Sequence, residues 1–129
     1  MNGEVRWTEE NGYFGTTSGG KTFEIYGDTS PSPMEMVLHA HAACSLIDLK
    51  DGLKHRIENV QFLKIEIESE RAQTSPKVFT SIEMKYIVKG DVSEKLVTRL
   101  IEASHDKYCS VGKMITRSGA TLEWSLEML

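Results

Sequence analysis

Apolar and polar residues alternate with a period of two near the start of the chain, and the period changes at Ser32. Val5 and Trp7 alternate with Glu4, Arg6 and Thr8, which predicts a strand, and Asn11-Gly12 supplies residues that tolerate positive φ in a tight hairpin turn. After Ser18-Gly19-Gly20, Phe23 and Ile25 alternate with Thr22, Glu24 and Tyr26, so the N-terminal unit reads as a small three-stranded meander. From Ser32 the pattern is helical. Ser32 can cap, Pro33 suits the first helical position, and Glu35 stands where a capping box needs its acid. Between Met36 and Leu49 only His39, His41, Ser45 and Asp48 interrupt apolar or small residues. That predicts a helix buried nearly all round, between two layers or two subunits. Lys54-His55-Arg56 suits its negative end.

Period two then returns. Leu63, Ile65 and Ile67 alternate with Lys64, Glu66 and Glu68, and beyond the Thr74-Ser75-Pro76 turn Ile82, Met84, Tyr86 and Val88 alternate with Glu83, Lys85 and Lys89. These are expected to be two longer strands in an antiparallel pair. Gly90-Asp91 breaks the pattern, Ser93 can cap, and Leu96, Val97, Leu100 and Ile101 mark one face of a second helix. A short third helix is expected around Cys109 to Ile115. Ala120, Leu122, Trp124, Leu126 and Met128 alternate strictly with polar residues and predict a last half-buried strand. The expected order is β-β-β-α-β-β-α-α-β, an α+β fold.

With 129 residues and no composition break, repeat or linker, the chain fits one domain spanning residues 1–129. Such a domain would gain from a partner subunit. Its formal charge of −4, from 15 basic and 19 acidic residues, is spread along the chain and offers no basic stripe for phosphates, so nucleic acid is not an expected partner. No apolar run approaches the ~20 residues of a spanning helix, and no cationic and apolar leader opens the sequence. A cytoplasmic protein with no membrane partner is expected. Two cysteines in such a chain are seldom a permanent bridge, because that compartment keeps thiols reduced.

Those cysteines carry the candidate chemistry. Cys44 lies deep in the apolar helix with His41 three residues before it, and Cys109 follows His105 by four. A reactive cysteine needs a cation, hydrogen-bond donors or a helix N-terminus to favour its thiolate. His41 shares a helix face with Cys44 and could donate to its sulfur or act as base, whereas Asp48 at i+4 would oppose the charge. The structural alternatives are a small buried hydrophobe for Cys44, a core histidine for His41, a packed residue for Cys109, packing for Met34 and Met36, and a capping box for Glu35. A His₂Cys₂ zinc site is the competing chemistry, but its spacing is common by chance and no Cys-x-x-Cys supports it. Neither a metal nor a cofactor is expected, since Ser18-Gly19-Gly20 and Ser118-Gly119 lack any phosphate-loop spacing.

The stretch Pro33-Met-Glu-Met-Val-Leu-His-Ala-His-Ala-Ala-Cys44 is similar to the first cysteine motif of the OsmC/Ohr family, the osmotically inducible and organic hydroperoxide resistance proteins. Lys107-Tyr-Cys109-Ser-Val-Gly-Lys-Met-Ile115 is similar to the second. The resemblance covers essentially the whole chain. It implies an intertwined homodimer with the cysteine helices central, and a thiol peroxidase in which Cys44 attacks an organic hydroperoxide and Cys109 resolves the product as a disulfide. It also implies a dithiol reductant. His41 would assist, and Met34 and Glu35 would line the substrate site. The peroxidase members carry a glutamate directly after the motif proline, holding an arginine from the N-terminal loop against the reactive sulfur. Here Met34 occupies that position, Glu35 is rotated about 100° further round the helix, and no arginine lies between Glu9 and Gly20. The Ser-Pro-Met-Glu variant resembles the OsmC-like branch, so a weakened peroxidase is the expectation, with a non-enzymatic carrier of a small hydrophobic ligand as the alternative.

Overall fold

A computed structural model describes all 129 residues. The chain divides into two compact units, Met1–His39 and Ala40–Leu129. The first holds an antiparallel meander of β1 (Gly3–Thr8), β2 (Gly12–Thr17) and β3 (Thr22–Ile25), in the order β1-β2-β3. Gly12 turns the first hairpin at φ 67°, a conformation glycine adopts without a Cβ penalty. Val5, Trp7, Tyr13 and Phe23 remain exposed, so this sheet covers little of its own apolar surface.

α1 (Pro33–Gly52) starts in the first unit and continues through the second. The expected capping box forms: Ser32 Oγ accepts from the Glu35 N–H at 3.2 Å, and Glu35 Oε1 accepts from the Ser32 N–H at 3.1 Å. A 3-10 stretch over Lys54–Asn59 follows, and the last turn of α1 carries Lys50 as its basic residue instead of Lys54-His55-Arg56. The helix is not covered all round within one chain. Its buried residues are His41, Ala42, Ser45 and Leu49, a single stripe, while Val37 and Ile47 stay exposed.

The second unit is built on β4 (Val60–Arg71), β5 (Phe79–Gly90) and β6 (Thr121–Met128), with β5 central. β4 and β5 are the expected antiparallel pair. β6 runs parallel to β5, which requires a long crossover. The crossover consists of α2 (Glu94–Ala103), a π-helical turn (Ser104–Tyr108) and α3 (Ser110–Arg117). Ile82, Met84, Tyr86 and Val88 of β5 are fully buried, as are Leu49 and Leu53 beside α1's end and Val97 and Ile101 of α2. The period-two face read from the sequence is thus the face that meets the helices. No helix is long and apolar enough to cross a membrane.

Candidate functional site

His41, Ser45, Asp48, Tyr86, Ser104, His105 and Cys109 converge between α1, β5 and the α2–α3 connection. The π-turn ends with the Cys109 N–H bonded to the Ser104 carbonyl at 2.8 Å, which delivers Cys109 to the N-cap of α3. Such turns recur at functional sites because they re-aim the residues they carry. There the Cys109 sulfur accepts from the Gly112 N–H at 3.4 Å and its S–H donates to the His41 carbonyl at 3.8 Å. Cys109 is wholly buried, Cys44 half-buried, and both are free thiols. Burial, then the Cys44 thiol hydrogen-bonded beside it, push the Cys109 thiol up to about 12 against the smaller lowering effect of the Gly112 N–H. Desolvation therefore outweighs the helix N-terminus, and Cys109 rests as a thiol.

His41 is 0% exposed, and neither of its ring nitrogens has a hydrogen-bond partner. Burial, with the charge on His105 adding to it, lowers the imidazole to about 4, so it is neutral near pH 7. The sequence pairs His41 with Cys44, but the ring is packed toward α3. A Cβ on Gly112 would lie 2.6 Å from His41 Nε2 and 3.2 Å from Cys109 Sγ. No hydrogen bond joins His41 to the Cys44 sulfur.

Below the thiols runs a polar chain. Tyr86 Oη lies 2.8 Å from His105 Nε2 and 2.5 Å from Ser45 Oγ; Ser104 Oγ lies 3.0 Å from Ser45 Oγ and 2.8 Å from Asp48 Oδ2. Ser104 has one hydroxyl proton for two acceptors, and the carboxylate is the stronger. Ser104 then donates to Asp48, Ser45 to Ser104, Tyr86 to Ser45, and His105 Nε2–H to Tyr86. His105 Nδ1 is left bare, and it has no partner. Burial lowers the His105 imidazole against the smaller raising effects of Asp106 and Asp48, and burial raises the Tyr86 phenol, partly offset by Ser45. His105 also stands 6.3 Å from His41 and 6.5 Å from Trp124 between ring centroids.

Five members of this cluster, Ser45, Asp48, Tyr86, Ser104 and His105, were not assigned roles from sequence as a set. Tyr86 carried a signal: a phenol at an inward strand position requires a buried partner. Gly112 carried another, since a glycine inside a helix costs about 1 kcal/mol and implies a packing reason. Met34 and Glu35 stand in the first turn of α1, ten and nine residues before Cys44; Glu35 is exposed and held by Ser32. Arg6 of β1 pairs with Glu4 at 2.9 Å. The zinc alternative is not supported: no three His, Cys, Asp or Glu residues are grouped to hold a metal.

The family model for OsmC-like protein matches residues 26–125, a span that includes both cysteine segments. The chain belongs to the OsmC-like family. Protein YhfA of Escherichia coli K12 is 35% identical over 122 residues, covering 92% of this chain and 91% of that one. A hypothetical protein from Aquifex aeolicus VF5 is similar in structure at TM-score 0.83 and 29% identity, over 99% of this chain and 96% of the other. The organic hydroperoxide resistance protein OhrB of Bacillus subtilis shares the fold at TM-score 0.60 and 20% identity, over 98% of each chain. The α+β OsmC-like fold expected from the cysteine motifs is therefore the fold of this chain.

Proposed function

We propose that this OsmC-like chain is a thiol peroxidase for organic hydroperoxides. The observation that carries the reading is the asymmetry of two neighbouring free thiols: Cys44 is half-buried and reachable, whereas Cys109 is buried and protonated. Cys44 attacks the O–O bond, the alcohol leaves, and a sulfenic acid remains on Cys44. Cys109 then attacks that sulfur to give a disulfide and water, and a dithiol reductant returns both thiols by exchange. With no arginine and glutamate pair beside the sulfur, turnover is slower than in members that carry it. Glu35 is committed to the helix start, where it caps with Ser32.

The reading includes a cytoplasmic homodimer, with residues 1–129 of each copy acting as one domain. The exposed Val5, Trp7 and Ile47 support a second copy as their cover, and sedimentation of the purified chain at the mass of a monomer would remove it. A second reading is favoured by an apolar concavity of about 390 Å³, lined by Leu46, Ile47, Ile57, Val60 and Phe62 with Lys50 among its residues. It suits a small hydrophobic ligand, but neither cysteine lines it. Counting free thiols after a slight excess of cumene hydroperoxide separates the two. Rapid loss of both thiols, abolished by Cys44→Ser, is the result expected of a peroxidase. Thiols that persist for hours favour the carrier.

A further inference from the structure

We propose that His41 is the proton acceptor for Cys109 in the disulfide-forming half of the cycle, a role that rests on the thiol reading above. The geometry points to Cys109 instead of the nearer neighbour in sequence. Where Gly112 has no side chain, the His41 ring and the Cys109 sulfur close on the same space: a Cβ there would meet Nε2 at 2.6 Å, Cδ2 at 3.1 Å and Sγ at 3.2 Å. Glycine at 112 is what lets the two approach. The Cys109 S–H is meanwhile held to α1 by the His41 carbonyl at 3.8 Å.

Two further observations support the role. Both ring nitrogens of His41 are buried without a partner, which leaves their desolvation uncompensated. A buried polar side chain left in that state needs a reason, and a lone pair kept free for a proton is one. Cys109 is 0% exposed, so water cannot take its proton, yet sulfur attacks as thiolate. The other titratable groups around the pair are Cys44, His105, Tyr86 and Asp48; at rest neither they nor Cys109 is bonded to a His41 nitrogen, so the S–H turns from the His41 carbonyl to the ring in the step.

The step balances without any added group. As the Cys109 sulfur attacks the Cys44 sulfenic sulfur, its proton passes to His41 Nε2. The S–S bond forms, the S–O bond breaks, and the oxygen leaves with the bonding pair. The imidazolium returns the proton to that oxygen, releasing water. Cys109 is oxidised as the sulfenic sulfur is reduced. Because proton transfer accompanies bond formation, neither a free thiolate nor a free imidazolium has to persist in the buried site.

The test follows disulfide formation by stopped quench and mass spectrometry in wild type and His41→Gln, with dimedone trapping sulfenic acid. One arm uses cumene hydroperoxide, and the other uses diamide, an azo oxidant that activates a thiol for disulfide formation without any sulfenic acid. General-base assistance is worth about 10²–10⁴-fold, so a fall of about 100-fold in disulfide formation is expected at pH 7. Dimedone adduct on Cys44 should accumulate in the peroxide arm. Between pH 7 and 9 the variant should speed up by about tenfold per unit as the thiolate fraction of the raised Cys109 thiol grows, while wild type stays flat. Disulfide formation at the wild-type rate in His41→Gln overturns the proposal. So does a wild-type profile that itself climbs tenfold per unit, which needs no variant to fold. If wild type ignores the hydroperoxide but forms a His41-dependent disulfide with diamide, the peroxidase reading falls and the role of His41 stands.

Discussion

Gly112 of α3 and His41 of α1 meet where a Cβ on the glycine would lie 2.6 Å from the imidazole Nε2. That contact fixes how near α3, with Cys109 at its N-cap, approaches the helix that carries Cys44. Alanine at 112 would gain about 1 kcal/mol of helix propensity. It would also be forced against a ring that is fully buried, and overpacking costs typically about 1–3 kcal/mol. Gly112→Ala is expected to be destabilising on balance, read as a lower urea midpoint. A midpoint at or above that of wild type would mean that the His41 ring can move aside.

Tyr86→Phe removes the middle of the polar chain. Ser45 loses its donor and His105 Nε2 its acceptor, both in the interior. Leaving buried partners unsatisfied costs on the order of 1–3 kcal/mol. Ser104→Ala cuts the same chain between Ser45 and Asp48. The double variant should therefore lose less than the two single losses combined. Simple additivity in urea unfolding would show that the four hydroxyl and carboxylate groups do not act as one network.

Acid should weaken the fold through His41. Its pKa falls from 6.5 when unfolded to about 4 when folded, so the unfolded chain binds more protons between those values. Stability rises with pH wherever the unfolded state holds more protons. The contribution is complete above pH 6.5 and is lost as pH drops toward 4, at a slope of up to about 1.4 kcal/mol per unit from this group. His105, also lowered, acts in the same direction. Urea midpoints between pH 4 and 7 test this, and His41→Gln should flatten the dependence. An unchanged slope in that variant would assign the acid sensitivity elsewhere.

On the exposed face of the second sheet three glutamates lie in one row, Glu68 opposite Glu83 and Glu83 opposite Glu123. Like charges directly opposite destabilise by roughly 0.2–1 kcal/mol per pair. Lys85, the neighbouring cation on β5, is engaged by Glu127 at 3.1 Å. Glu83→Lys should raise the thermal midpoint by a few degrees in low salt and by less in high salt, since exposed charges are screened. A salt-independent change would point to packing instead of charge.

Much of this was legible in the chain itself because local rules decide it. The meander followed from alternation punctuated by Asn11-Gly12 and Ser18-Gly19-Gly20, and the start of α1 from a capping box confined to Ser32–Glu35. The second helix followed from its apolar face and from Ser93, whose hydroxyl accepts from the Leu96 N–H at 3.3 Å. Both cysteine segments could be read too, each with its histidine upstream. What covers α1 is legible only in part, because an apolar helix records that it must be buried and not which surface does the burying. In one chain it is covered along a single stripe.

By itself, then, the sequence determined the order of the elements, the inward side of the strands in the second sheet, and the family to which the two cysteine segments belong. Tertiary structure decided that β6 runs parallel to β5, that the His41 ring packs against Gly112 of α3 and bonds to neither cysteine, and that Tyr86, Ser45, Ser104, Asp48 and His105 join in one chain. Periodicity states where a side chain points relative to its own element. Which group it meets depends on how elements pack, and here the partners lie 41 residues apart for Ser45 and Tyr86 and 68 apart for Cys109 and His41.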